Sequence, residues 1–245
     1  MTKRIAMWSG PRNISTAMMR AWENRPDTVV CDEPLYAYYL RVTGRPHPGA
    51  ERIVAELDSD WRSVARALTE GVPDGEAEIY YQKHMAHHLL EEVEREWLWN
   101  LEHAFLIRDP REMLLSLSKV TPDPGVLDTG LPQQARLFEE VLERTGKTPP
   151  VLDAKDTLQD PEAILRRLCA ALEVEFLPAM LVWPAGKRES DGLWAEHWYE
   201  GVERSTGFQS WRPREGELSP ALKAVWEECL PHYERLHAQR LVARR

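Results

Sequence analysis

The sequence predicts a three-layer α/β/α domain with a mostly parallel central sheet. Three observations carry that expectation: short apolar runs recur along the chain, stretches with helical apolar spacing separate them, and Gly, Pro or Asp marks most junctions. Strands buried on both faces read as continuous apolar runs, and a helical crossover between two of them makes them parallel. The 245 residues, 43% hydrophobic and 29% charged, suit one large domain spanning 1–245 and argue against disorder.

The elements follow in order. Ile5–Trp8 is a strand, Ser9-Gly10-Pro11-Arg12 a turn, and Ser15 to Glu23 a helix; Thr28–Cys31 is a second strand, ended by Asp32-Glu33-Pro34. Within His47–Gly71, apolar residues from Ile53 to Leu68 recur at three-to-four spacing, which predicts a helix or helix pair, and Pro73-Asp74-Gly75 breaks the chain. Ile79–Gln82 reads as a strand, Leu89–Trp99 as a helix, and Ala104–Ile107 as a buried strand with Pro110 opening the next helix. Leu131–Arg144 is helical, Pro150–Asp153 a short strand, and Pro161–Leu172 a helix capped by Asp160. From about 184 to 215 the pattern weakens into a polar, Trp-rich stretch, expected to be a flap or lid. Leu218–Arg240 is the last helical pattern, with Arg240, Arg244 and Arg245 as its solvated end.

Lys+Arg is 31 against Asp+Glu 40, a net charge of −9. That balance excludes a protein that grips nucleic acid through a basic surface, but leaves room for a small anion in a local basic pocket. Cys31, Cys169 and Cys229 are far apart and form no C-x-x-C pair, so neither a disulfide framework nor a zinc knuckle is expected. With no secretory h-region and no run of about 18 apolar residues, the expectation is a cytoplasmic protein without a membrane partner.

Ser9-Gly10-Pro11-Arg12-Asn13-Ile14-Ser15-Thr16 lies between a strand and a helix, where backbone N–H groups and the helix N-terminus favour an anion. Arg12 and the hydroxyls of Ser15 and Thr16 add donors. The loop is not that of a nucleotide triphosphatase, because Ile14 stands where G-x-x-x-x-G-K-[ST] needs its Lys. A second segment, Arg108-Asp109-Pro110, follows a buried strand, and Ser116 comes eight residues after Arg108 on the next helix. An Arg at a strand end and a hydroxyl two turns on can face one ligand above the carboxyl edge of the sheet.

These two segments resemble those of the sulfotransferases that use 3′-phosphoadenosine 5′-phosphosulfate (PAPS). That family's P-[K/R]-S-G-[S/T]-T loop, which holds the 5′-phosphosulfate, matches Pro11-Arg12-Asn13-Ile14-Ser15-Thr16 at Pro, Arg, Ser and Thr; Asn13 and Ile14 stand where Ser and Gly are usual. Its 3′-phosphate segment, an Arg followed eight residues later by Ser, matches Arg108 and Ser116. Ala154-Lys155-Asp156-Thr157-Leu158-Gln159-Asp160-Pro161 is similar to the family's Y-E-D-L-x-x-D-P, with Ala154 replacing a Tyr and Lys155 a Glu. The family's C-terminal R-K-G-x-x-G-D-W loop is missing, and Arg204-Ser205-Thr206 stands as its replacement, adding Ser205 and Thr206 to the donor contacts. The resemblance implies a P-loop nucleotide-binding type of α/β fold. It also implies PAPS as donor, the bisphosphate PAP as product, a small-molecule hydroxyl or amine as acceptor, and no metal.

Sulfuryl transfer needs an in-line acceptor, positive charge beside the leaving oxygen and a base. Arg12 is the charge stabiliser. For the base, two sets of residues stay open: Glu33, in an E-P-L segment like one that carries the catalytic Glu in some relatives, and His84, His87 or His88, after a strand end similar to the family's K-x-H. His84-x-x-His87-His88 lacks the H-E-x-x-H pattern of a zinc helix. Trp183, Trp194, Trp198 and Trp211 are candidates for an acceptor pocket or for the core. A nucleotide-binding module without turnover, and a small-molecule kinase, are the competing functions.

Overall fold

The structure is a computed structural model that describes residues 2–71 and 77–243. The expected break at Pro73-Asp74-Gly75 and the terminal Arg244 and Arg245 lie outside the described residues. Five strands, β1 (Lys3–Ser9), β2 (Thr28–Asp32), β3 (Ile79–Met85), β4 (Glu102–Ile107) and β5 (Val151–Asp153), form one parallel sheet in the order β2-β3-β1-β4-β5, with helices on both sides. The expected α/β class holds. β2 pairs with β3 from Thr28↔Ile79 to Asp32↔Lys83, and β4 with β5 from Phe105↔Val151 to Ile107↔Asp153.

The helices of the first half are α1 (Ser15–Glu23), α2 (Tyr36–Thr43), α3 (Ala50–Glu56) and α4 (Trp61–Glu70). Then come α5 (Pro110–Leu117), α6 (Leu131–Thr145), α7 (Ala154–Gln159), α8 (Pro161–Ala171), the one-turn α9 (Ala195–Trp198) and α10 (Glu200–Glu203), and α11 (Pro220–His237). The expected pattern over His47–Gly71 resolves as the pair α3 and α4, because the Asp60 side chain accepts from Arg62 N and starts a new helix. The helix expected over Leu89–Trp99 does not form. Arg95 Nη1 donates to the carbonyls of Leu90 (3.2 Å) and Val93, acceptors an α-helix would have used, and the segment runs as turns flanked by 3-10 helices at Ala86–His88 and Glu96–Asn100.

Chain contacts divide the molecule into two compact units. Unit 1 comprises residues 1–7, 16–102 and 177–208; its core includes Met18, Met19, Trp22 and Tyr81, with the Trp22 and Tyr81 rings stacked at 5.2 Å. The polar stretch after 184 is tied into this unit by the Arg20–Asp191 ion pair at 2.6 Å and by Trp183 Nε1 donating to Ser205 Oγ at 3.1 Å. Unit 2 comprises residues 8–15, 103–176 and 209–245, and its core is built on Phe105 and Phe138, edge to face at 5.6 Å, with Leu106, Leu114 and Leu165. Cys169 and Cys229 are buried in unit 2, Cys31 is half-buried in unit 1, and none of the three is in a disulfide. Among the described residues no helix is long and apolar enough to cross a membrane.

Candidate active site

In unit 2 the loop after β1 is braced from three sides. Gly10 packs so close to a neighbouring turn that a Cβ there would sit 2.3 Å from the Thr129 carbonyl oxygen, which explains the absence of a side chain. With its amide oriented to satisfy both ends, Gln134 accepts from Gly10 N and donates to the carbonyls of Trp8 and Leu106, each at 3.2 Å. Asn13 Nδ2 donates to Leu106 O, and Asn13 Oδ1 accepts from Ile14 N, both at 2.8 Å. Asn13 is therefore a brace, and the Ile14 N–H is engaged. Pro11 is half-buried in the same turn, Ser15 is buried at the first turn of α1, and Thr16 beside it is half-buried.

The two segments separated in sequence meet here. Arg12 Nε donates to Ser116 Oγ at 3.1 Å, and Arg108 Nη1 donates to the Arg12 carbonyl at 2.8 Å. Arg12 has φ 54°, a left-handed conformation that costs a non-glycine residue on the order of 1 kcal/mol and is held by such contacts. Arg108 also bonds Glu112 through Nε and Nη2, at 3.2 and 3.0 Å. Burial lowers the pKa of the Arg12 guanidinium, and the positive charges of Arg214 and Arg108 lower it further. Three cationic side chains acting on one another favour an anion among them. Arg214 belongs to a strand-free segment pinned to α5, where Arg111 donates to the carbonyls of Arg214 (3.3 Å) and Gly216.

In unit 1 the ends of β2 and β3 bury a second charged cluster. The register Asp32↔Lys83 brings the Lys83 ammonium to Asp32 Oδ1 at 2.7 Å, Glu33 Oε1 at 2.5 Å and Tyr199 Oη at 2.7 Å. Glu33 has φ 42°, with its N–H donating to Lys83 O at 2.9 Å. Burial raises the Glu33 carboxyl pKa and the Asp32 charge adds to the rise, while Lys83 partly offsets both. Burial alone would lower Lys83; the Asp32 and Glu33 carboxylates outweigh it and hold the ammonium charged well above its ordinary value.

The histidines are placed differently from one another. His84 lies on β3 itself, with Nε2 at 3.2 Å from Gln82 Oε1 and its ring tilted against Trp97. His87 and His88 lie in the turn after β3, each with a buried Nδ1 that meets no hydrogen-bond partner, and His88 Nδ1 is 4.0 Å from Glu33 Oε2. The His88 ring stacks between Tyr36 (4.7 Å) and Tyr39 (4.6 Å). Burial, then the neighbouring His47 and Arg45, pushes His87 down to about 3; burial, then His87, keeps His88 well below the ordinary imidazole value. Ser205 Oγ bonds Trp183 and Val202, and the Thr206 carbonyl accepts from Trp183 N, so both serve the local turn. Among the described residues no group of three or more His, Cys, Asp or Glu is disposed to hold a metal.

Four residues were not singled out by sequence: Asp32 as a partner, Lys83, Tyr199 and Arg214. The pairing of a lysine with an acidic strand end was visible only as Lys83 inside Q-K-H-M, and the role of Tyr199 depends on a contact 116 residues away.

A sulfotransferase-domain profile matches residues 3–240. The chain is 36% identical over 236 residues to the branched-chain-amino-acid aminotransferase-like protein 1 of Arabidopsis thaliana, covering 96% of this chain and 41% of that protein. It is 34% identical over 229 residues to protein 2 of the same name, covering 94% and 40%. The chain thus spans about two fifths of the length of these curated relatives. Among solved structures it is similar in fold to a sulfotransferase from Alicyclobacillus acidocaldarius, with a TM-score of 0.56 at 14% identity over 99% of this chain and 98% of that one. With the profile running almost from end to end, the chain belongs to the sulfotransferase-domain family.

Proposed function

We propose that the chain moves a sulfuryl group from PAPS to a hydroxyl or amine of a small acceptor. The observation that carries this reading is the meeting of Arg12, Ser116 and Arg108, because two segments 96 residues apart converge on one basic, hydroxyl-bearing cradle of the kind a phosphate-rich donor requires. The residues present fit such a donor: Arg108 and Ser116 take the 3′-phosphate, while Arg12, Ser15, Thr16 and the first turn of α1 take the 5′ side. When bound, PAPS supplies a sulfuryl group already attached to a phosphate leaving group.

The chain's own part is positioning, charge and proton removal. Arg12 holds positive charge where the leaving oxygen gains negative charge, and burial together with the charges of Arg214 and Arg108 lowers its pKa. Glu33 is the base. A base works best when its pKa approaches the operating pH, and burial moves Glu33 in that direction, whereas His87 and His88 are moved away from it. Glu33 Oε2, the oxygen not engaged by Lys83, is the atom that takes the acceptor proton.

Thermal shift with 3′,5′-adenosine bisphosphate, ATP and AMP tests the donor reading. A larger stabilisation by the bisphosphate than by either other nucleotide supports it. Preference for ATP would favour a kinase.

A further inference from the structure

The hydrogen atoms of the unit 1 cluster can be assigned by counting donors. Lys83 has three N–H bonds, and three oxygens face them: Asp32 Oδ1, Glu33 Oε1 and Tyr199 Oη. Tyr199 Oη also accepts from Trp194 Nε1 at 3.1 Å, so its own hydrogen goes to Asp32, whose oxygens lie 2.7 and 2.9 Å away. Gly192 N donates to Asp32 Oδ2 at 3.1 Å. Asp32 thus meets three donors. Glu33 meets one, and its second oxygen lies 4.0 Å from His88 Nδ1. Two carboxylates share one ammonium, with the Lys83 and Asp32 side chains each only 1% exposed.

We propose that Asp32 is the positioning residue of the base: it draws the Lys83 ammonium from Glu33, and Tyr199, by donating to Asp32, limits that pull. How readily Glu33 accepts a proton is then set by Asp32 and by a tyrosine of the segment after residue 184. The groups facing Glu33 are Asp32 on β2, Lys83 on β3, Tyr199 after α9, Tyr36 on α2 and His88 after β3. Among them Asp32 is the like charge that raises Glu33 against the pull of Lys83, so its removal favours the Glu33 carboxylate. The inference rests on Glu33 as the base, and only its kinetic arm rests on sulfuryl transfer.

Asp32→Asn removes one negative charge and leaves the ammonium to Glu33, so the pH at which Glu33 protonates falls by about one unit or more. Because Glu33 works deprotonated, the acid limb of the kcat profile moves to lower pH with it. Tyr199→Phe deprives Asp32 of its hydroxyl donor, leaves it to draw harder on the Lys83 ammonium, and moves the limb to higher pH. Infrared titration of the carboxyl C=O stretch, with Glu33→Gln marking the band, reads the Glu33 midpoint without any sulfuryl transfer. Midpoints displaced in opposite directions support the proposal, even in a protein that transfers no sulfuryl group, a result that would remove the transferase reading alone. Unchanged midpoints in both variants overturn it. Should Asp32→Asn fail to fold, an unchanged midpoint in Tyr199→Phe overturns it by itself.

Discussion

The carbonyl oxygen of Arg12 accepts a hydrogen bond from Arg108 Nη1 at 2.8 Å, so the residue proposed to hold the 3′-phosphate also fixes the loop proposed to hold the 5′ side. Arg108→Ala should weaken 3′,5′-adenosine bisphosphate by roughly 2–5 kcal/mol, as when a charged partner is taken from a desolvated anion. Ser116→Ala should cost less, about 1.5–3 kcal/mol, the range for one hydrogen bond to a charged group. Calorimetry with nucleotides that have and lack the 3′-phosphate checks both. An unchanged preference for that phosphate would remove the pocket assignment.

Arg12 lies beside Ser116 with its guanidinium depressed by burial and by Arg214 and Arg108. Replacing it with Ala should lower kcat by about a hundred- to a thousand-fold, with a smaller loss of bisphosphate affinity, since a contact made mainly in the transition state acts on rate. Steady-state kinetics beside equilibrium binding separates the two, and equal losses would indicate a binding role only.

Gly10→Ala places a methyl group 2.3 Å from the Thr129 carbonyl oxygen, and that neighbour is backbone. The strain should destabilise the fold by about 1–3 kcal/mol and displace the loop, weakening the bisphosphate as well. Urea unfolding and binding should move together; wild-type stability would mean that the turn gives way without cost.

The buried imidazoles make the fold acid-sensitive. His87 and His88 are neutral in the folded chain and free to charge in the unfolded one, so they favour folding above the ordinary value near 6.5, and this is lost as pH falls through their folded values, about 3 for His87. Each adds at most about 1.4 kcal/mol per pH unit to the slope below about pH 6.5. Glu33 has the opposite sign: its raised carboxyl favours the fold below its ordinary 4.5, and the benefit disappears as pH rises through the folded value. Urea unfolding of wild type and His87→Asn at a series of pH values isolates one histidine, because the Glu33 part is common to both. Parallel curves would contradict the assignment.

Local signals in the sequence located much of this fold. Apolar runs marked all five strands, and Pro110 and Asp160 marked helix starts. What stayed hidden depends on distant partners. Leu89, Val93 and Trp97 have helical spacing, yet Arg95 takes the carbonyls the helix needed. Lys83, just past the expected strand end at Gln82, had no visible charge partner until the register placed it against Asp32 and a tyrosine from the polar stretch closed over it. Arg214 acts on Arg12 through space, from a segment with no periodic pattern.

Transfer of radiolabelled sulfate from PAPS into a panel of alcohols, sugars and amines tests the central claim most directly. The account predicts that label enters at least one class of acceptor with the wild-type protein, that Glu33→Gln loses about a hundred- to ten-thousand-fold of that rate while binding the bisphosphate normally, and that His84→Asn, His87→Asn and His88→Asn stay active. Full activity in Glu33→Gln with collapse in one histidine variant would move the base to that histidine, and bisphosphate binding with no label in any acceptor would contradict the transferase itself.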